Sequence, residues 1–256
     1  MAFWSRNAHG ETTAACDPRR ADYAVFSNVT LLRSGKTVLS DLSLTLSERR
    51  VAVIGLNGSG KSSFVRLLNG LLLPDSGEVQ VYGADTRLVR ADLPRHVGFV
   101  FQNPDHQAIF PTVAEEVAFG LTQLGENRVA ARAGALKFLA QHGCAALAER
   151  PFHDLSEGQK QLVCILSVLV MRPDLVVLDE PFASLDGLAT RQLMRRLVAL
   201  PQKLVMVSHD LQLIQGFDRV LWIEEGMLRM DGEPGTVLPA YVDDIDRRAA
   251  AVADSI

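Results

Sequence analysis

Gly55-Leu56-Asn57-Gly58-Ser59-Gly60-Lys61-Ser62 follows the apolar run Val51-Ala52-Val53-Ile54 and precedes Phe64-Val65-Arg66-Leu67-Leu68. The order is strand, glycine-rich turn, helix, and the octet fits G-x-x-x-x-G-K-[ST], the phosphate-binding loop. Glycines let the backbone curl until successive N–H groups face one anion. A helix opening near Gly60 adds its positive end. In that reading the loop, from Gly55 through Asn57, Gly58, Ser59 and Gly60 to Ser63, cradles phosphate. Lys61 supplies a point charge, and the Ser62 hydroxyl is a ligand for Mg²⁺. A surface Gly/Ser turn can match the same pattern, and the flanking strand and helix are what separate the two readings.

Working outward, 256 residues suffice for one large domain with a full core. A hydrophobic share of 48% beside 22% charged residues is that of a globular chain. The formal net charge of −4 argues against nucleic acid as a partner, because such domains are usually basic. The longest strongly apolar run, 162–171, is about half of the ~20 residues a membrane span requires. No cleavable apolar segment is visible at the N-terminus. Cys16, Cys144 and Cys164 have no metal-type spacing and suit a reducing compartment. Cys164, in an apolar stretch, reads as a core residue.

Residues 1–21 read as a mobile polar tail. From 22 to 55 apolar and polar residues alternate, with a turn at Ser34-Gly35-Lys36, and strands are expected. Two further strands are expected at 78–83 and 97–101. Between 112 and 172 the pattern becomes helical and Ala/Leu-rich, which predicts a helical sub-lobe inserted into an α/β body. Strands at 175–178 and 203–207, separated by a helix, predict a mainly parallel core sheet. Two last strands meet at Glu225-Gly226, and a short acidic segment, 236–256, ends the chain.

Other residues carry chemistry. The strand Leu175-Val176-Val177-Leu178 ends in Asp179 and Glu180. Carboxylates at the carboxyl end of such a strand suit a Mg²⁺ ligand, Asp179, and a group that orients or deprotonates water, Glu180. A strand followed by an acidic helix cap is the plainer alternative. Ser156, in Leu155-Ser156-Glu157-Gly158-Gln159, is either an anion site at a helix start or only an N-cap. His209 is either a surface residue or a donor to charge developing on phosphate.

Phosphate loop, Gln102, this pentapeptide, Asp179-Glu180, Ser184-Leu185-Asp186 and Ser208-His209-Asp210 occur in one order. That order resembles the ATP-binding-cassette (ABC) ATPases over residues 23–235. The resemblance implies a phosphate-loop α/β core with N-terminal antiparallel strands and an inserted helical sub-lobe, spanning 22–235. It implies ATP and Mg²⁺ as cofactors. Gln102 then senses Mg²⁺ and water, and Ser156 and Gly158 close over ATP held by a second subunit, identical or homologous, in a head-to-tail dimer. Asp186 then lies in the loop crossing that interface, and His209 contacts the γ-phosphate. Two departures stand out. Glu157 occupies a position where the family usually has glycine, so its side chain must point away from the phosphate. The aromatic that usually stacks on the base is missing near Thr30-Leu31-Leu32-Arg33-Ser34. There Arg33 stacks its guanidinium on adenine, Leu32 packs there, or Arg33 is simply solvated.

Phe101-Gln102-Asn103-Pro104-Asp105-His106-Gln107, followed by Thr112-Val113-Ala114-Glu115-Glu116-Val117-Ala118-Phe119-Gly120, resembles the ATPases of energy-coupling-factor (ECF) importers. Their pattern implies a groove for helices of a transmembrane coupling subunit, a separate integral membrane substrate-binding subunit, and a peripheral place on the cytoplasmic face of the membrane. Ile109, Phe110, Val113, Val117 and Phe119 are expected to line the groove, with Asp105, Glu115 and Glu116 beside it. The same residues also fit a sub-lobe core and its solvated face. Cargo in that family includes biotin, other vitamins, cobalt and nickel. The short end after Gly226 leans the expectation toward the single-ATPase, biotin kind. A soluble cassette acting on DNA or ribosomes is disfavoured by the single cassette and acidic balance.

Overall fold

The structure is a computed structural model, and it describes residues 4–6 and 12–253. In chain order come β1 (Trp4–Arg6), β2 (Thr12–Ala14), β3 (Ala24–Arg33), β4 (Lys36–Leu46), β5 (Arg50–Ile54) and α1 (Lys61–Leu67). Then follow β6 (Ser76–Val81), β7 (Ala84–Asp85), α2 (Leu93–His96), β8 (Val97–Val100), α3 (Pro104–Gln107), α4 (Val113–Gln123) and α5 (Arg128–Gln141). The remainder is α6 (Glu157–Leu169), β9 (Leu175–Asp179), α7 (Gly187–Val198), β10 (Lys203–Val207), α8 (Leu211–Ile214), β11 (Arg219–Glu224), β12 (Met227–Gly232) and α9 (Pro234–Ala253). The chain divides into two compact units, Met1–Arg90 with Leu204–Ile256, and Ala91–Lys203.

In the first unit β5 lies between β10 and β11 and runs parallel to both, with Val51 opposite Val205 and Ala52 opposite Val220. All five β5 residues are buried, as a strand covered on both faces requires. β12 closes the edge antiparallel to β11, with a bulge at Trp222/Ile223. A second, antiparallel sheet has the order β4-β3-β6-β7. Within it Phe26 and Val29 point inward, and Phe26 stacks on Phe64 of α1 at 4.8 Å.

The described part of the segment read as a mobile tail has regular structure, and the acidic C-terminal segment is a helix. β1 pairs with β2, and the Asp17 N–H donates to the Tyr82 carbonyl at 2.9 Å. α9 is packed onto β11 and β12. Val237 is fully buried, and Tyr241 meets Trp222 edge-on at 5.2 Å. Buried Glu224 and Asp244 are paired there with Arg229 and Arg248, so the charges enter the interior already compensated.

The second unit pairs β8 with β9 in parallel, Val100 opposite Leu178. Its helical part runs from α4 to α6. Capping boxes open α4 (Thr112 with Glu115) and α6 (Ser156 with Gln159). Its core gathers Val113, Val117, Leu139, Phe152, Val163 and Leu166. Val113 and Val117, read from sequence as groove residues, are fully buried in this core, because a helix stripe at i and i+4 faces its partner helices.

Candidate functional site

The first unit builds the phosphate loop. β5 ends at Ile54 and leads into Gly55, whose φ of +146° only glycine holds without strain. A Cβ at Gly55 would lie 2.0 Å from the Ile223 carbonyl oxygen. Gly60 caps α1 in a left-handed conformation. The turn is closed by Ser59 N–H to Leu56 O at 3.2 Å, and the Gly226 N–H donates to Ser59 O at 3.0 Å. The Lys61 side chain is buried and crosses the loop, its Nζ donating to the carbonyls of Gly55 and Leu56 at 2.9 Å each. The ammonium is therefore held at the loop's centre. The hydroxyl of Ser59 is buried without a hydrogen bond among the described residues, and Ser62 and Ser63 are half-buried at the helix start. Gly55→Ala is expected to destabilise the fold by about 3 kcal/mol or more, since backbone rather than a flexible side chain blocks the methyl. Urea unfolding measures it, and a loss under about 1 kcal/mol would contradict the packing described.

His209 belongs to the same edge. β10 runs beside β5, and Ser208 N–H donates to Val53 O at 3.3 Å. The next residue, His209, is exposed just past the carboxyl end of the neighbouring strand. Asp210 then caps α8 by accepting the Gln212 N–H at 2.9 Å. Phosphate loop and histidine thus leave the carboxyl ends of adjacent parallel strands, where such sheets bind ligands. Arg33 ends β3 opposite Lys36, and both Arg33 and Leu32 are exposed.

The second unit repeats this logic with other chemistry. β8 leads to Gln102 and β9 ends at Asp179, which is 2% exposed. Glu180 follows with φ +50°, a left-handed conformation that is uncommon outside glycine. Its Oε2 accepts from Gln102 Nε2 at 3.1 Å. Sequence gave no sign of that backbone conformation, because no glycine marks it. Ser156 caps α6, its Oγ accepting the Gln159 N–H at 3.4 Å while Gln159 Oε1 accepts the Ser156 N–H at 3.1 Å. Asp186 caps α7 through the N–H groups of Leu188 and Ala189 at 2.9 and 2.8 Å. A Cβ on Gly158 would meet Ala189 at 3.3 Å, so the two capped helix starts lie against each other. Glu157 does turn aside, onto Lys160 at 3.2 Å.

A groove of about 360 Å³ also lies wholly within the second unit, lined by Phe99, Ile109, Phe119, Leu124, Val168 and Met171, with Asp92 and Arg95 among its polar residues. Of the acids expected beside it, Glu116 lines it, while Asp105 pairs with Lys160 and Glu115 serves the fold. Glu115 completes the α4 capping box. Glu116 is 5% exposed and its Oε2 accepts from the N–H groups of Ile109 and Phe110 at 2.9 and 3.0 Å. Burial raises the Glu116 carboxyl above its ordinary value, opposed by those two bonds. A raised carboxyl favours the folded state below the ordinary carboxylate range, and that contribution is lost as pH rises through the raised value. Glu116→Gln should therefore gain stability relative to wild type as pH climbs from about 4 to about 7. A variant-minus-wild-type stability that stays flat or falls over that range in urea titrations would contradict this.

Gln107, the last residue of the quoted Phe101–Gln107 stretch, is a clamp: its Oε1 accepts the Phe101 N–H at 3.0 Å and its Nε2 donates to Cys164 O at 2.9 Å. Cys164 is a core residue as read, its thiol pushed well up by burial. No helix among the described residues is long and apolar enough to cross a membrane.

Comparison with known proteins fits this geometry. The ABC transporter family model matches residues 39–183. The chain is 47% identical over 226 residues to the biotin transport ATP-binding protein BioM of Rhodobacter capsulatus, covering 88% of this chain and 97% of that protein. It is 39% identical over 219 residues to the nickel import ATP-binding protein NikO of the same organism, covering 80% and 86%. Among solved structures, cbiO1 of Clostridium perfringens, part of the ABC transporter complex cbiONQ, superposes with a TM-score of 0.75 at 29% identity. That match covers 90% of this chain and 97% of cbiO1.

Proposed function

The chain belongs to the ABC transporter family of ATP-binding subunits, and on that footing we propose that it is the ATP-hydrolysing subunit of an ECF-type importer that energises biotin uptake across the cytoplasmic membrane. The observation that carries the cargo is the 47% identity to a biotin transport ATP-binding protein over nearly the whole of both chains. A nickel or cobalt importer is the second reading, favoured by the likeness to the nickel import protein, at the lower identity of 39%.

The residues divide the work. The loop 55–63 wraps the phosphates with N–H groups, and Lys61 sets a positive charge among them. Ser62, Gln102 and Asp179 are hydroxyl, amide and carboxylate donors. This all-oxygen set with a single carboxylate suits Mg²⁺, which usually keeps waters and substrate phosphates as its other ligands. When bound, the ion supplies charge neutralisation at the phosphates. Glu180, oriented by Gln102, takes a proton from the attacking water. His209 donates a hydrogen bond to charge developing on the γ-phosphate. Arg33 offers its planar face to adenine.

Ser156 and Gly158 close over the nucleotide of a second ATPase subunit, identical or homologous, paired head to tail, and Asp186 lies in the loop that crosses their interface. ATP thereby becomes part of the interface, and hydrolysis reopens it. The groove lined by Phe99, Ile109 and Phe119 suits an amphipathic helix of a transmembrane coupling subunit. Cargo is bound by a third, integral membrane subunit, so this chain works as a peripheral protein of the cytoplasmic face.

Purification of a tagged chain from solubilised membranes tests the reading. Recovery of a coupling subunit together with a small integral membrane protein that retains biotin is the expected result. Recovery of ribosomes or DNA-bound factors, with no membrane protein, would overturn it.

A further inference from the structure

Glu157 sets a problem for any phosphate approaching the start of α6. It stands one residue past Ser156, in the first helical turn, where the family pattern has no side chain. A free carboxylate there would repel the anion that the helix end attracts. Lys160 sits one turn further along. Its side chain is only 10% exposed, and its Nζ lies 3.2 Å from Glu157 Oε1 and 2.9 Å from Asp105 Oδ1. Both carboxylates are about half exposed, so the ammonium is the fixed member of the triad. Asp105 belongs to α3, which begins two residues after Gln102, and α3 is strapped to α6 independently. Gln107 reaches Cys164 O, and the Cys164 thiol points at Pro104 O at 3.7 Å. With α3 fixed on α6, Asp105 holds the Lys160 charge in place.

We propose that Lys160 is a positioning residue for ATP-dependent subunit pairing: it draws the Glu157 carboxylate back along α6 and offsets its charge. The phosphate of the partner's nucleotide then meets helix N–H groups and the Ser156 hydroxyl instead of an anion. This rests on the reading that the Ser156 end of α6 closes over ATP held by a second copy. One unit charge several ångströms from a triphosphate, in partly exposed surroundings, changes affinity by roughly tenfold.

The test is ATP-driven dimerisation of the full chain in a Glu180→Gln background with Mg²⁺, followed by light scattering. Lys160→Gln should weaken pairing about tenfold at low salt, and the penalty should shrink as salt rises. Lys160→Arg should stay within about twofold of the parent, since the charge is kept. In a Glu157→Gly background, Lys160→Gln should cost less than about twofold, because the charge it offsets is gone. A tenfold loss that persists in the Glu157→Gly background would overturn the proposal and assign Lys160 a packing role. No loss at all from Lys160→Gln would overturn it equally. If the Glu180→Gln parent fails to pair with ATP, the underlying reading of the interface fails, and the inference falls with it.

Discussion

Glu180→Gln should lower ATP turnover by about 10²- to 10⁴-fold while leaving ATP binding in place. In the proposed mechanism this carboxylate activates water, and it follows the buried strand β9 in a left-handed backbone conformation. Gln102 Nε2 donates to it at 3.1 Å, which fixes the orientation of the acceptor oxygen. Glutamine keeps the size and shape of the side chain but cannot take a proton. The loss therefore falls on the chemical step, equivalent to ~3–5 kcal/mol of barrier. With hydrolysis blocked, ATP stays between the two subunits and the closed pair accumulates. Phosphate release and light scattering with ATP and Mg²⁺ check the two halves of the result. Turnover at the wild-type rate would remove Glu180 from the mechanism.

Lys61→Ala is the second large effect, and it acts on binding. The ammonium donates to two loop carbonyls from a buried position, so its charge sits inside the curl proposed to receive phosphate. Removing a charge-assisted contact of this kind costs about 1.5–3 kcal/mol, a rise in Kd for ATP of about 10- to 150-fold. Circular dichroism should stay unchanged, since α1 keeps a strong helix former at its first position. Titration calorimetry with wild type and variant at one salt concentration decides it. Equal affinities would contradict the assignment of residues 55–62 as the phosphate loop.

Much of this was legible because the signals were local. β5, the octet and α1 are contiguous, so a strand, a turn and a helix can be read along one stretch. The helices α4 to α6 are long enough for a 3.6-residue period to show. The illegible parts depend on distant partners or on single turns. α2 and α3 have four residues each, too few for any period. Glu116 looked like a surface acid near a groove, and it is buried because it satisfies two backbone N–H groups of the segment just before α4. Val113 and Val117 could serve groove or core, and only packing against α5 and α6 decides for the core. The Lys160–Asp105 contact joins residues 55 positions apart, and nothing in either neighbourhood announces it. The left-handed backbone at Glu180 is likewise invisible in a sequence that places no glycine there.

The most direct measurement is accumulation of labelled biotin at nanomolar supply by cells lacking this chain and complemented with wild type, Lys61→Ala or Glu180→Gln. Uptake restored by wild type alone, with both variants present at equal abundance on the membrane, is the predicted result. Restoration by either variant, or unimpaired uptake without the chain, would contradict the claim that its ATP hydrolysis drives biotin import.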